Sequence, residues 1–241
     1  TRYRSSAASD VYKRQLSLYM IVQMIGIVSA QGVLALGNPN GYSLFIIISI
    51  LVSISFAPIL LSVSPTPAFE RTKPMSLAQL FRSSPLGCVG MFLLGGVFSA
   101  QFGMSAVFGS QIGLSLSKIS LFVAAFYIGA MIFQYPIGWM SDRMDRRLLI
   151  LLISASSAGG SVFAYFAGDY FFALVFAAFL VGGLSNPLYS LIIAHANDFI
   201  EYEDMASAAG GLLFVNGIGA ISGPLIICLL YTSDAADDLY R

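Results

Sequence analysis

Charge is what this sequence has least of: only 10% of its 241 residues are Asp, Glu, Lys or Arg. A soluble globular domain carries about 25%, so this composition cannot furnish the surface of a water-soluble particle. Histidine occurs once and cysteine twice, which leaves little material for a catalytic His pairing or a His/Cys metal site. No alternation of apolar and polar residues recurs, and that argues against a membrane β-barrel. What is present is apolar: 57% of residues are hydrophobic, with a mean hydropathy of +0.82. The apolar runs are long, and about 20 such residues cross the hydrocarbon core as a helix. The expected fold class is all-α, a polytopic transmembrane helical bundle in a cell membrane.

The two ends share an unexpected relation. One codon choice for Arg2–Gln15, read on the complementary strand one base out of frame, encodes Cys228–Arg241, a match of fourteen residues in succession. Both ends resemble a transposon-end adaptor of the sort used in preparing sequencing libraries, placed in opposite orientations around an insert. The reading therefore takes residues 1–15 and 228–241 as added tails and 16–227 as the native segment, truncated on both sides. Of the twelve basic and twelve acidic residues, seven and eight then remain. Cys88 is left as the only native cysteine, so no disulfide forms within the segment.

Seven apolar spans follow one another: Leu16–Leu36, Tyr42–Val63, Leu86–Ala106, Ile119–Met140, Leu148–Ala167, Tyr170–Ala194 and Met205–Ile227. Turn-forming stretches separate them, at Gly37–Gly41, at Pro65, Pro67 and Pro74, and at Gly168–Asp169. The longest connection, about 64–85, includes a short interfacial helix expected at Leu77–Phe81. Arg71, Lys73 and Arg82 follow the second span, and Arg143, Arg146 and Arg147 follow the fourth, both on one side of the membrane. The other side has Lys118 alone. By the positive-inside rule the first side is cytoplasmic. Asp198, Glu201, Glu203 and Asp204 share it, and acids count little in that rule.

Between the fourth and fifth spans runs Gly138-Trp-Met-Ser-Asp142-Arg143-Met-Asp145-Arg146-Arg147. Gly138 removes a side chain where helices can approach, and Asp142 can accept charge-assisted hydrogen bonds from arginine or a helix N-terminus. The plain alternative is a basic loop that only sets topology. The segment resembles the cytoplasmic-loop signature of the major facilitator superfamily, G-x-x-x-D-[RK]-x-G-[RK]-[RK], with Asp145 where the pattern has glycine. Asp145 fits a tight turn. The resemblance implies a register in which the segment joins helices eight and nine of a twelve-helix permease. The spans would then be helices five to eleven: 16–63 the last two helices of the N-terminal bundle, 64–85 the central cytoplasmic loop, and 86–227 five helices of the C-terminal bundle. The remaining helices of the same chain would be missing partners. Asn186-Pro187 and Gly217-x-Gly219-x-x-x-Gly223-Pro224 resemble the broken, glycine-rich helices of such permeases. Gly95-Gly96, Ser156–Gly160 and Gly210-Gly211 are small-residue sites for close helix contact.

No Asp, Glu, Lys or Arg lies well inside any native span, so uncharged polar residues are the candidates for a solute cavity. They are Gln31 (with Gln23) in the first span, Gln101, Gln134, Asn186 and Tyr189, and Asn216. Asn186 and Tyr189 share a helix face, and Gln101 is flanked by Phe98 and Ser105 at helical spacing. The resemblance implies that these helices line the cavity; the plain alternative is hydrogen bonding between helices. His195, at the cytoplasmic end of the sixth span, reads as a structural residue, although an unperturbed His also suits a proton carrier.

The reading is thus a secondary active carrier of a small organic solute working by alternating access, with no cofactor, no metal and no nucleic acid. A coupling proton is compatible with it. The lipid bilayer is its solvent. A membrane-embedded enzyme and a seven-span receptor or sensor are the competing readings. The first would need a partner for the lone histidine, and the second a signalling domain.

Overall fold

Five helices among the described residues are long and apolar enough to cross a bilayer: Pro85–Gln111, Leu116–Ser141, Arg146–Phe166, Phe171–Asn197 and Met205–Leu229. The computed structural model describes residues 22–35, 41–61, 75–168, 170–201 and 204–239, with no strand among them. The first tail, the residues 37–40, the three prolines of the long connection, Arg71, Lys73, Asp169 and Glu203 lie outside the described residues. The elements are α1 (Val22–Ala35), α2 (Ser43–Ser55), α3 (Ala57–Leu61), α4 (Leu77–Ser83), α5 (Pro85–Ser99), a π turn (Ala100–Met104), α6 (Ser105–Gln111), α7 (Leu116–Ser141), α8 (Arg146–Ala167), α9 (Phe171–Asn197) and α10 (Met205–Leu239). All-α membrane architecture is therefore observed.

The expected second span is not continuous. It breaks at Phe56 between α2 and α3, where Pro58 offers no N–H to the carbonyl four residues back and its ring crowds that carbonyl. The short helix after the long connection is found, running to Ser83. A capping box starts it: Ser76 Oγ accepts from the Gln79 N–H, and Gln79 accepts from the Ser76 N–H. It is packed into the bundle rather than lying apart from it, since Leu80 is 1% exposed and Met75 N donates to Ser207 Oγ of α10 at 2.7 Å.

Ser84 then caps α5, with Pro85 in the first turn where no N–H is needed. The expected span Leu86–Ala106 runs on to Gln111 through the π turn. At that turn Ser105 Oγ donates back to the Gln101 carbonyl, a side chain intruding on the helical ladder. Helix α10 continues unbroken across Ile227 to Leu239.

Two helix pairs form the frame, α5 with α10 and α7 with α9. Their backbones approach so closely that only glycine fits. A Cβ on Gly219 would stand 1.9 Å from the Phe92 carbonyl oxygen, and one on Gly129 would stand 2.0 Å from that of Phe179. Helix α8 leans on α9 through Gly160 and Val181. Leu80, Met91, Leu149, Leu191 and Leu212 fill the core toward the α4 end of the bundle, while Phe122, Phe126 and Leu174 fill it toward the opposite end. Leu93, Leu151, Phe172 and Ile221 point outward and exposed, as residues facing lipid do.

Lys118 and Arg143 mark opposite ends of α7, a helix of 26 residues. At 1.5 Å per residue that is about 39 Å, enough to cross a hydrocarbon core of about 30 Å.

Candidate functional site

At the end of the bundle that carries the arginines, α7 stops at Ser141 and the chain turns through Met140 carbonyl bonds to the N–H groups of Arg143 and Met144. Asp145 restarts it. Its carboxylate accepts from the Arg147 N–H at 2.7 Å and the Leu148 N–H at 3.4 Å, capping α8. The residue that departs from the glycine pattern thus makes a helix cap. Arg146 reaches across to α9, donating to the Ala194 carbonyl at 3.1 Å and pairing with Asp198. Arg143 stacks on Trp139, 4.0 Å from the ring centroid, and Arg147 lies over Phe199 at 5.3 Å. Asp142, Asp145, Arg146, Arg147, His195 and Asp198 border a polar recess of about 500 Å³. His195 itself is buried, with its ring edge-on to Phe199 at 5.1 Å.

The turn's other two motif residues, Gly138 and Asp142, meet no partner among the described residues. A Cβ on Gly138 would meet nothing within 4 Å, so no described helix presses against it. Asp142 is exposed and has no side-chain partner among the described residues, because Arg146 is engaged by Asp198 and Arg143 by Trp139. Small residues elsewhere divide. Gly95, Gly160 and Gly211 do sit against neighbours, whereas Gly159 and Gly210 face open space.

Within the spans the candidate polar residues separate into two groups. Gln101 and Asn216 hold helices together. Gln101 is 5% exposed and donates from Nε2 to Ser185 Oγ of α9 at 2.7 Å, while its Oε1 has no partner among the described residues. Asn216 donates from Nδ2 to the Met91 carbonyl at 2.9 Å, tying α10 to α5. Gln101 also borders a cavity of about 450 Å³ between α5, α6, α7, α8 and α9, lined chiefly by apolar side chains such as Phe108, Phe122, Phe126 and Leu174.

The second group shares a face. Gln134 of α7 lies 3.5 Å from Ser190 Oγ of α9, and Asn186 and Tyr189 stand on the same side of α9 as Ser190. Asn186 donates to the Gly182 carbonyl of its own helix at 2.9 Å. Tyr189 meets Phe98 with 6.2 Å between ring centroids, Phe98 stacks on Phe102 at 5.3 Å, and Phe102 stacks on Tyr127 at 5.3 Å. This aromatic row joins α9, α5 and α7. Gln31, in α1, is half-buried and meets none of these residues in any hydrogen bond among the described residues.

Chemically the face favours uncharged planar groups. Each stacked ring pair is worth about 0.5–1.5 kcal/mol beyond its buried area. A cation over one ring gains about 0.5–1 kcal/mol at an exposed site and about 2 kcal/mol or more when desolvated, while an unpaired ion in a low-dielectric interior costs several kcal/mol. Sequence reasoning missed Phe102, Tyr127, Ser185 and Ser190. The seven-residue spacing of Tyr127 and Gln134 was a usable signal; the Ser185 contact was not, since a π turn sets the phase of Gln101.

Residues 86–234 match the family model of the Major Facilitator Superfamily. An uncharacterised MFS-type transporter of Yersinia pestis (strain Pestoides F) is 25% identical over 217 residues, covering 89% of this chain and 56% of that protein. One from Yersinia enterocolitica is 26% identical over 227 residues, and the MFS-type transporter YcaD of Escherichia fergusonii is 22% identical over 223, each covered over 56% of its length. The chain thus spans about half the length of these curated relatives. No solved structure matches it at a significant level.

Proposed function

The chain belongs to the Major Facilitator Superfamily, and on that premise we propose that it forms part of a secondary active permease moving a small organic solute by alternating access. Membrane transport rather than catalysis, and a multi-pass place in the bacterial inner membrane, follow from the family and its relatives. In the proposed register α5 with α6, then α7, α8, α9 and α10, are helices seven to eleven. Residues 16–63 belong to the N-terminal bundle, 64–85 to the central loop and 86–227 to the C-terminal bundle. Residues 1–15 and 228–241 are then additions, and other helices of the same protein complete the carrier.

The observation that carries this reading is the arrangement of the α7–α8 turn. Asp145 and Arg146 are spent inside the bundle, on the α8 cap and on α9, while Asp142 stands exposed and unpaired among the described residues. It is available to a helix end of the other bundle, which would make the turn a latch that forms and breaks as the bundles rock. No carboxylate lies inside the five long spans, so a coupling proton would be carried elsewhere in the protein.

The test is solute flux by the complete permease carrying Asp142→Ala. Loss of transport with normal membrane insertion supports the latch, and normal rates sink it.

A further inference from the structure

We infer that the solute carried is an uncharged, flat molecule with polar groups at its edge, held against the aromatic face of α5, α7 and α9. This rests on the transport reading above. Tyr189, Phe98, Phe102 and Tyr127 form a connected row from three helices, with successive ring planes tilted by 32°, 27° and 10°. Such shallow tilts turn the ring faces in similar directions, and a further planar group extends the stack at little cost in geometry. Phe102 is 45% exposed, so the row is not sealed inside the bundle.

Two amides flank the row. Gln134 lies seven residues beyond Tyr127 on α7, and Asn186 lies three residues before Tyr189 on α9, each on the same helical face as its tyrosine. The contact of Gln134 with Ser190, at 3.5 Å, is at the outer limit of hydrogen bonding. Asn186 uses its Nδ2 on Gly182 and leaves Oδ1 without a partner among the described residues. Donor and acceptor capacity therefore remains at the edge of the aromatic row, where the polar rim of a flat solute would sit.

Charge selects against the alternatives. None of these faces carries Asp, Glu, Lys or Arg. An anion would meet the negative ring faces with no cation to offset them. A cation would gain the ring faces but find no carboxylate on α5, α7 or α9 to offset its desolvation. The cavity beside Gln101 is lined from α5 through α9 but by none of the four rings of the row.

The experiment uses the complete permease in nanodiscs and three probes: coumarin, a coumarin carboxylate and a coumarin bearing a quaternary ammonium. Coumarin should bind at least about tenfold more tightly than either charged probe. Phe102→Leu and Tyr189→Leu, which keep bulk but remove a ring, should each weaken it roughly threefold to tenfold. The outward-facing Leu93→Ala should leave it unchanged. Equal or tighter binding of a charged probe overturns the solute class. Coumarin binding indifferent to both ring removals, or no coumarin binding, overturns the site. Ring-dependent binding in a permease whose proteoliposomes take up coumarin no faster than protein-free vesicles overturns the transport reading instead, so the two failures are distinguishable.

Discussion

A Cβ placed on Gly95 would stand 2.1 Å from the carbonyl oxygen of Asn216, so α5 and α10 touch backbone to backbone where Asn216 also donates to Met91. Adjacent positions therefore differ sharply in what they tolerate. Gly95→Val should destabilise the bundle by about 1–3 kcal/mol or more, since neither backbone can yield cheaply. Gly96→Ala, whose Cβ would lie 3.7 Å from the nearest atom, should change stability little. Thermal unfolding of the two variants in detergent checks the contrast.

Asp145 caps α8, and its two acceptor contacts are both to backbone N–H groups. Asp145→Ala should cost about 1 kcal/mol and Asp145→Gly only a few tenths. The glycine of the family pattern is thus a mild change here, which denaturant titration of both variants can measure.

Gln101 and Ser185 should respond asymmetrically. Ser185→Ala strips the partner from Gln101 Nε2, while Oε1 is already unpartnered, and should cost about 1–3 kcal/mol. The double replacement Gln101→Leu with Ser185→Ala removes both polar groups and should recover most of that loss. Thermal unfolding across this mutant set gives the comparison.

Much of this was legible beforehand, and what was not has identifiable causes. Apolar length gave all five long helices, and Ser76 with Gln79 marks the start of α4. Pro58 is visible in the sequence, but a lone proline does not say whether a span kinks or breaks. The π turn left no local signature, so the contact of Gln101 with Ser185 could not be read beforehand, although Gln101 was expected on a cavity face and does border a cavity. Phe98 stays in the aromatic row. Gly138 and Asp142 match a pattern, yet a pattern does not name the surface each residue meets; the described residues leave both open. Asp198 was visible as one acid among four, and only its position at the end of α9 singles it out for Arg146.

The Arg146–Asp198 pair is partly exposed, with side chains at 28% and 47%. Solvent screening limits such a pair to about 0–1 kcal/mol. Asp198→Asn should therefore barely move the unfolding temperature, yet slow transport if the turn is held in place by this tie. Unfolding and flux measured on the same preparation separate the two effects.

The most direct test of the central claim is access to the aromatic face from water. In the complete permease freed of its other cysteines, Cys88 among them, Phe102→Cys and Leu93→Cys would be exposed to a membrane-impermeant maleimide from each side of the membrane. We expect Phe102→Cys to react from one side, and solute to shift that reactivity, while Leu93→Cys, facing lipid, stays unlabelled. If Phe102→Cys resists the reagent from both sides as Leu93→Cys does, the face lines no solute pathway and the account fails.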